Sequence, residues 1–401
     1  MTIAIYMFDF IYRYGGAEGY AATLIELFQN IFSNCKITIF TELYKNIDKI
    51  SNSEFIENLN NAYGLKINDT DISISYISTD TLKDSKHNNK LFQIIQFLKL
   101  QKKHLHLQRI ILSKTQNFDL FVNCAQDSLH GNAKKNITLI HFPREKMISA
   151  PINQKIPYLK SLSQKHDLNY VLNNNLFIPN SNFTSYWLTQ KWDIPEEKKT
   201  VIYPPVTMIQ LKSQKHKGQI CICSRIEASK KIDLLLSAYE NSDYLKNNCH
   251  LVVMGSIKQE SSSYIESIKK ISPSVEFHFN PSRTEIEKIL SESEIFWHAK
   301  GIDENDPRLF EHFGITTVEA MSAGCVPIVI NKGGQQEIVT ENCGFKFNTL
   351  DEMISYTEHL MKNPVLIEGF REQAIKRSEQ FSKQMFKLNF EKILSDKLNI
   401  R

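Results

Sequence analysis

The chain has 401 residues, too many for one ordinary hydrophobic core and comfortable for two domains. Hydrophobic residues make up 42% and charged residues 23%, values of an ordinary soluble globular protein that exclude disorder over any long span. The 48 basic and 44 acidic residues leave a formal charge of +4, which by itself gives no argument for nucleic acid as a partner.

No run of about 18 uncharged apolar residues occurs, so no transmembrane helix is expected. The opening MTIAIYMFDF lacks a basic n-region and meets Arg13 directly, so it reads as a first buried strand and not as a signal peptide. In the first half, short apolar runs predict strands at 3–8, 36–41, 72–77, 118–123, 137–141 and 176–180. Helical patterns lie between them, notably at 17–33, 89–112 and 182–192. Residues 203–218 (YPPVTMIQLKSQKHKG) read as a link, because Pro204-Pro205 forbids helix and a polar run follows. The second half starts again with strands at 219–224, 250–254, 275–279, 294–298, 325–330 and 343–347. Helices are expected at 231–240, 261–271, 284–291, 315–323 and 351–362. An amphipathic segment at 380–398 then needs something to pack on. Alternation of strand and helix on this scale implies parallel sheets with crossover helices. The 7 cysteines are odd in number and scattered. Cys221 and Cys223 fall on one face of one strand, and no second cluster completes a metal site, so reduced buried thiols are expected.

The chemistry concentrates in residues 310–339, FEHFGITTVEAMSAGCVPIVINKGGQQEIV. Gly314 lets backbone approach a ligand closely. Thr316 and Thr317 open a helix whose free N–H groups and dipole favour a phosphate. Glu319 lies about one turn into that helix and can accept hydrogen bonds from vicinal hydroxyls such as those of a ribose. Glu311 precedes the loop and can face what hangs from the phosphates. Taken alone, two glutamates around a helix start would be ordinary surface residues.

These residues resemble glycosyltransferase family 4. The family's two glutamates separated by seven residues are Glu311 and Glu319 here. The match continues through EHFG, VEAM-x-AG-x-VPIV and GG-x-x-EIV, and WHAKGIDENDPRLFEHFG looks like a subgroup of the same family. Residues 224–238, SRIEASKKIDLLLSA, resemble its Arg-x4-Lys stretch, with Arg225 and Lys230 in place to neutralise a diphosphate. Lys231 stands where the family commonly has Gly and reads as a solvated helix start. LVVMGS ends a strand in Gly255, as the family does. IPNSNFTSYWL and VIYPPV match the end of its first domain.

Agreement is patchier before residue 219. Gly15 and Gly16, in RYGGAE, follow the first strand and open a helix, as in the family's turn near the diphosphate and acceptor. The third glycine of a dinucleotide fingerprint is missing, which argues against NAD. His141 ends a strand on the side where open α/β sheets act. The resemblance favours a functional role for it over a structural one. His298 ends another strand and stays open between core packing and donor contact. Asp69-Thr70-Asp71 spells a metal-binding D-x-D but precedes a strand instead of following one, so it reads as a turn. The basic stretch at 99–109, KLQKKHLHLQR, reads as a solvated helix face, with contact to an anionic membrane surface or lipid-linked acceptor as the alternative.

The resemblance implies a GT-B fold, α/β, with two Rossmann-like domains of mostly parallel sheets facing across a cleft. The expected division is an acceptor-side domain at 1–206, a linker at 207–218 and a donor-binding domain at 219–379. A C-terminal helix at 380–401 should pack back on the first domain. The implied reaction is transfer of a hexose, with retention, from a nucleoside diphosphate sugar to a hydroxyl of a glycan or lipid-linked acceptor. GDP-mannose comes before a UDP-sugar, because EHFG-type loops occur often in mannosyltransferases. Arg225, Lys230, Glu311 and His141 are the implied catalytic residues. Gly15, Gly16, Gly255, Phe313, Gly314, Ile315, Thr316 and Glu319 are the implied donor-binding ones. No metal, no cofactor and no nucleic-acid partner are expected, and the expected location is the cytoplasm or the inner face of its membrane. A non-catalytic nucleotide-sugar-binding protein and a sugar-nucleotide epimerase remain as alternatives.

Overall fold

A computed structural model describes residues 1–8, 10, 15–44, 49–79, 103–104, 106–125, 129–143, 174–210, 214–257 and 262–400. The chain divides into two compact units. One comprises Met1–Asn180, Thr184–Ile202 and Lys387–Arg401, the other Ser181–Phe183 and Tyr203–Phe386. The architecture is α/β. Among the described residues each unit holds one six-stranded sheet, and every strand pair is parallel.

The strands of the first unit are β1 (Thr2–Tyr6), β2 (Lys36–Tyr44), β3 (Ile72–Thr79), β4 (Leu120–Asn123), β5 (Lys135–Ile140) and β6 (Asn175–Pro179). Their order is β3-β2-β1-β4-β5-β6. Ile3, Ala4, Ile5 and Tyr6 are buried on both faces of β1, which is why the apolar run is continuous and the strand central. Helix α1 (Gly16–Ile31) follows, and its first turn is capped when Glu18 Oε2 accepts the Gly15 N–H at 3.0 Å. Helix α2 (Asn52–Tyr63) is an element the apolar pattern did not predict. Its signals are local: Ser51 accepts the Glu54 N–H, and Gly64 closes the helix at φ 61°. Residues 106–115 are helical, with Leu107 and Ile111 in the core and Lys103 Nζ 2.7 Å from Glu42. That segment belongs to the helix expected at 89–112, whose earlier part lies outside the described residues. Helix α3 (Asn182–Trp192) falls at the expected residues.

The second unit contains β7 (Gln219–Cys223), β8 (His250–Gly255), β9 (Glu276–Phe279), β10 (Ile295–His298), β11 (Val326–Ile330) and β12 (Phe345–Phe347). Their order is β12-β11-β10-β7-β8-β9. Helices α4 (Ile232–Asn241), α5 (Asp243–Asn248), α6 (Ser262–Ile271), α7 (Arg283–Glu292), α8 (Ile315–Ser322), α9 (Gln335–Ile338), α10 (Leu350–Met361) and α11 (Pro364–Ser378) complete it. Alternation along β7 sets its two faces. Ile220 and Ile222 join Val253, Ile295, Trp297 and Ile328 on one side, and Cys221 and Cys223 join Val252, Met254, Phe296 and Cys325 on the other. Both thiols are free and buried. The final helix, α12 (Lys383–Asp396), passes from the second unit into the first, where Lys387 Nζ donates to Glu26 and Phe390 meets Phe28 edge-on at 6.0 Å.

Both sheets wind in the same way. The first strand of each unit lies between its second and its fourth, so the connections change direction beside β1 and β4, and beside β7 and β10. Loops leaving the carboxyl ends of such neighbours are where open α/β sheets hold ligands.

The stretch read as a linker, 207–218, is packed over its described residues. Ile209 is buried and its N–H donates to Ser322 Oγ at 2.9 Å. Lys215 Nζ donates to the carbonyls of Ser293 (2.6 Å), Ala323 (2.7 Å) and Leu290 (3.2 Å), which lie at the C-terminal ends of α7 and α8. A lysine in a polar run looks solvated in sequence, yet here its charge serves the carbonyls that two helices leave unpaired. Lys215→Ala should lower unfolding free energy by about 1–3 kcal/mol by stranding those carbonyls. Urea unfolding measures it, and a loss below ~0.5 kcal/mol, the range of neutral surface changes, would contradict the role.

Candidate functional site

The carboxyl ends of β7 and β10 bring together residues far apart in sequence. After β7 the chain places Arg225, half exposed, with Nη2 3.2 Å from Glu227 Oε1. A short 3-10 turn, Ala228–Lys230, then carries Lys230 inward, where Nζ donates to Glu311 Oε2 at 2.7 Å. After β10, His298 Nε2 lies 3.5 Å and Lys300 Nζ 3.7 Å from the same oxygen. One carboxylate oxygen thus meets three nitrogen groups. Burial would raise the Glu311 carboxyl, but Lys230, then His298 and Lys300, outweigh it and hold it well below the usual range. Burial pushes His298 down despite Glu311, so its ring is neutral and its Nδ1 is buried without a hydrogen-bond partner. Lys300 is a site residue that the sequence reading did not select. Its signal was its place two residues beyond a strand end in WHAKG.

The loop between Lys300 and Glu311 is fixed by two lysines. Lys332 Nζ donates to the carbonyls of Gly301 (3.1 Å) and Glu304 (2.7 Å) and lies over the Phe310 ring. Lys231 Nζ reaches Glu304 Oε1 at 2.7 Å. Lys231 is therefore not a solvated helix start. Its φ of 59° is left-handed, which explains why a glycine is at home at this position. His312 Nε2 contacts the Pro307 carbonyl at 3.1 Å, and burial lowers this imidazole to about 4.

Gly314 forms the N-cap of α8 at φ 128°, a region L side chains avoid, and an added Cβ would also strike Gln335 Nε2 at 2.7 Å. Ile315 and Thr316 then supply the first turn of α8, next to the buried Phe313. Gln335 Nε2 donates to Thr317 Oγ1 at 2.9 Å, while its Oε1 is buried without a partner. The Gly333-Gly334 pair closes against the backbone that carries Glu311. The Gly334 N–H donates to the Glu311 carbonyl at 2.8 Å, and a Cβ on Gly334 would come within 2.4 Å of the His312 carbonyl oxygen. Gly255, expected among donor-binding residues, has a steric reason within the fold. A Cβ there would fall 1.6 Å from the Ser224 carbonyl oxygen, where the ends of β8 and β7 meet.

Glu319 sits on α8 facing α7. Arg283 Nη1 donates to Glu319 Oε1 at 2.5 Å, and Arg283 Nε donates to Glu287 Oε1 at 2.9 Å. Burial raises the Glu319 carboxyl, and Arg283 is the main opposing influence. The sequence reading missed Arg283. It is the first residue of a helix behind the N-cap Ser282, and nothing local points to a partner 36 positions on.

Gly15, Gly16 and His141 belong to the first unit. Gly15 precedes α1, and its carbonyl accepts from Tyr63 Oη at 2.9 Å. Arg13 and Tyr14 lie outside the described residues. His141 follows β5, its carbonyl accepts from Thr184 Oγ1 at 3.0 Å, and its ring is 5.9 Å from that of Tyr20. Asp69 and Asp71 lie in the turn before β3, with Asp69 Oδ2 accepting from Ser53 Oγ at 2.6 Å. No described helix is long and apolar enough to cross a membrane.

Residues 207–381, which carry Arg225, Lys230, Lys300, Glu311, Gly314 and Glu319, match the family model described as glycosyl transferases group 1. A Dictyostelium discoideum protein named GDP-Man:Man(3)GlcNAc(2)-PP-Dol alpha-1,2-mannosyltransferase is 24% identical over 222 residues, 50% of this chain and 42% of that protein. The chain spans less than half the length of the curated relatives it matches. A glycosyltransferase structure from Rickettsia africae aligns over 99% of this chain and 98% of its own, with TM-score 0.65 and 18% identity. Anabaena HepE, solved with UDP and glucose, aligns over 99% of this chain and 100% of its own, with TM-score 0.61 and 15% identity. The fold is that of GT-B glycosyltransferases, and the second unit bears the sequence pattern of their group 1.

The glycine pair gives a direct test of how the Glu311 loop is held. Gly334→Ala should destabilise the protein by about 1–3 kcal/mol, since only backbone movement relieves the overlap. Chemical unfolding measures the effect, and wild-type stability would refute the role of the Gly333-Gly334 backbone in closing the Glu311 loop.

Proposed function

We propose that the protein is a retaining glycosyltransferase of family 4, in its EHFG subgroup, that moves a hexose from a nucleoside diphosphate sugar to a hydroxyl of a glycan or lipid-linked acceptor. The observation that carries this reading is the convergence of Lys230, Lys300 and Glu311 at the ends of β7 and β10, beside the open first turn of α8. Lys230, Lys300 and Arg225 bring three positive charges against Glu311 and Glu227. The excess favours a diphosphate without any need for a divalent cation. On donor binding Lys230 exchanges Glu311 for phosphate, and Glu311 is freed to accept hydrogen bonds from sugar hydroxyls. Departure of the nucleoside diphosphate concentrates negative charge on its terminal phosphate. Lys230, Arg225 and the first N–H groups of α8 stabilise that charge as it develops. Glu319 holds the ribose. The parts played by Gly15, Gly16 and His141 rest on the resemblance.

GDP-mannose is the favoured donor, in line with the substrate named for the mannosyltransferase relatives, and a UDP-sugar comes second, in line with HepE. The proposed location is the cytoplasm, or the inner face of its membrane where the acceptor is lipid-linked. The reading is tested by incubating the protein with each donor and an acceptor glycolipid and measuring released nucleoside diphosphate. A dead binding protein or an epimerase releases none.

Arg225→Ala or Lys230→Ala should reduce turnover by at least ~100-fold, the scale for removing one preorganised charge donor. Wild-type activity should persist in excess chelator. Turnover unchanged in either variant, or lost in chelator and restored by manganese, would count against the basic cluster as the diphosphate site.

The two glutamates should separate in kinetics. The ribose contact is similar in ground and transition states, so Glu319→Ala should chiefly weaken binding of the bare nucleoside diphosphate and raise KM. Glu311→Ala should not weaken that binding, since it leaves Lys230 free for phosphate, and should reduce kcat, because small displacements near the reacting carbon cost rate. Calorimetry with nucleotide alone, followed by kinetics at saturating donor, distinguishes them. Equal losses of nucleotide affinity would refute the division.

A further inference from the structure

The side chain of Glu319 is only 10% exposed, and a carboxylate so deep favours its neutral form unless a cation faces it. The charged and titratable groups around it are Arg283 and Glu287 on α7, Lys383 at the start of α12, and the Cys223 thiol at the end of β7. Arg283 is the group in contact. Its guanidinium is held from two directions, by Glu287 one turn along its own helix and by Glu319 Oε1 across the helix pair. A cation held at two of its nitrogens stays fixed beside the carboxylate and keeps its charge in place there. Because the contact uses Oε1, Oε2 is left for a ligand.

We propose that Arg283 is the positioning residue of the nucleotide site, pinning one oxygen of Glu319 so that the other is presented as an acceptor to the vicinal hydroxyls of the donor's ribose. This rests on the reading of Glu319 as the ribose contact. Arg283 acts through that carboxylate and needs no contact with the reacting atoms. Without the guanidinium, Glu319 keeps the burial that favours its neutral form and loses the main influence against it. A carboxyl whose pKa is raised is protonated below that pKa. The acceptor is therefore absent at low pH and returns as pH rises.

The experiment is calorimetric titration of wild type, R283M and R283K with GDP and UDP and with their 2′-deoxy forms, from pH 5.5 to 8.5. The affinity ratio of ribose to deoxyribose nucleotide cancels the titration of the diphosphate itself. Wild type should show a ratio of ~10 at neutral pH, the scale of one hydrogen bond to a charged group, and hold it to lower pH than R283M does. In R283M the ratio should fall towards one at the acid end and recover towards the alkaline end. R283K, which restores the charge, should keep the ratio high at acid pH. Thermal melting checks that R283M is folded, and if it is not, R283Q keeps the bulk without the charge and carries the same expectation. A wild-type chain that discriminates while folded R283M discriminates equally at every pH overturns the Arg283 role and leaves the Glu319 reading standing. A ratio lowered equally at all pH values, or not restored by R283K, also overturns it, because that is structural damage and not loss of a held charge. A wild-type chain that binds nucleotide without preferring ribose removes the Glu319 reading and this inference together.

Discussion

Lys230, Lys300 and Glu311 share one small volume, and the arrangement at the ends of β7 and β10 depends on how that charge is balanced. Two ammonium groups that converge within 4 Å of a point repel each other, and each also loses water. A single carboxylate makes the cluster tolerable, and only if the backbone holds it at the ends of both strands at once. That explains the investment in the Glu311 loop. Lys332 and Lys231 fasten the segment before it, and the Gly333-Gly334 backbone closes behind it. The cluster keeps more positive than negative charge, so it favours anions while remaining compatible with a folded domain.

The two glutamates of the motif live in opposite electrostatic settings despite lying eight positions apart. Glu311 is dominated by cations and stays ionised well below the usual range. Glu319 is dominated by burial and depends on Arg283. The first belongs to a loop shared by β7 and β10, and the second to a helix wedged against α7. Their different neighbours give the two carboxylates different electrostatic character, which is a physical basis for different roles at the proposed site.

Repeated winding explains where this chemistry sits. In the second sheet the strand order leaves the ends of β7 and β10 side by side, where the connections change direction. Arg225 and Lys230 leave one strand, His298 and Lys300 the other, and the Glu311 loop returns across both. Left-handed backbone at Lys231 and Gly314 lies at the two helix starts that border this place. Strained conformations persist where the surroundings fix them, and here the surroundings are the loop clamps themselves.

Strand periodicity read from the sequence places the twelve strands of the described residues within a few positions, because parallel strands buried on both faces leave continuous apolar runs such as 3–6 and 219–223. The helix reading misses α2, although Phe55, Ile56 and Leu59 share one buried face at helical spacing, and it also misses α5, α9 and α11. The motif residues Arg225, Lys230, Glu311 and Glu319 were legible through the resemblance to glycosyltransferase family 4, since the local pattern alone left them as ordinary surface residues; local backbone demand marked only Gly314, at φ 128° directly before a helix start. Lys300, Arg283, Lys231 and Lys215 were not legible, since each looks like a surface cation in its own stretch of chain. Their partners lie 11, 36, 73 and 108 positions away. Sequence alone determines where the backbone must bend and which faces must be buried, because those are short-range properties. Only the tertiary structure decides which cation faces which carboxylate, because that pairing depends on strand order and on loops that meet only after the sheets have formed.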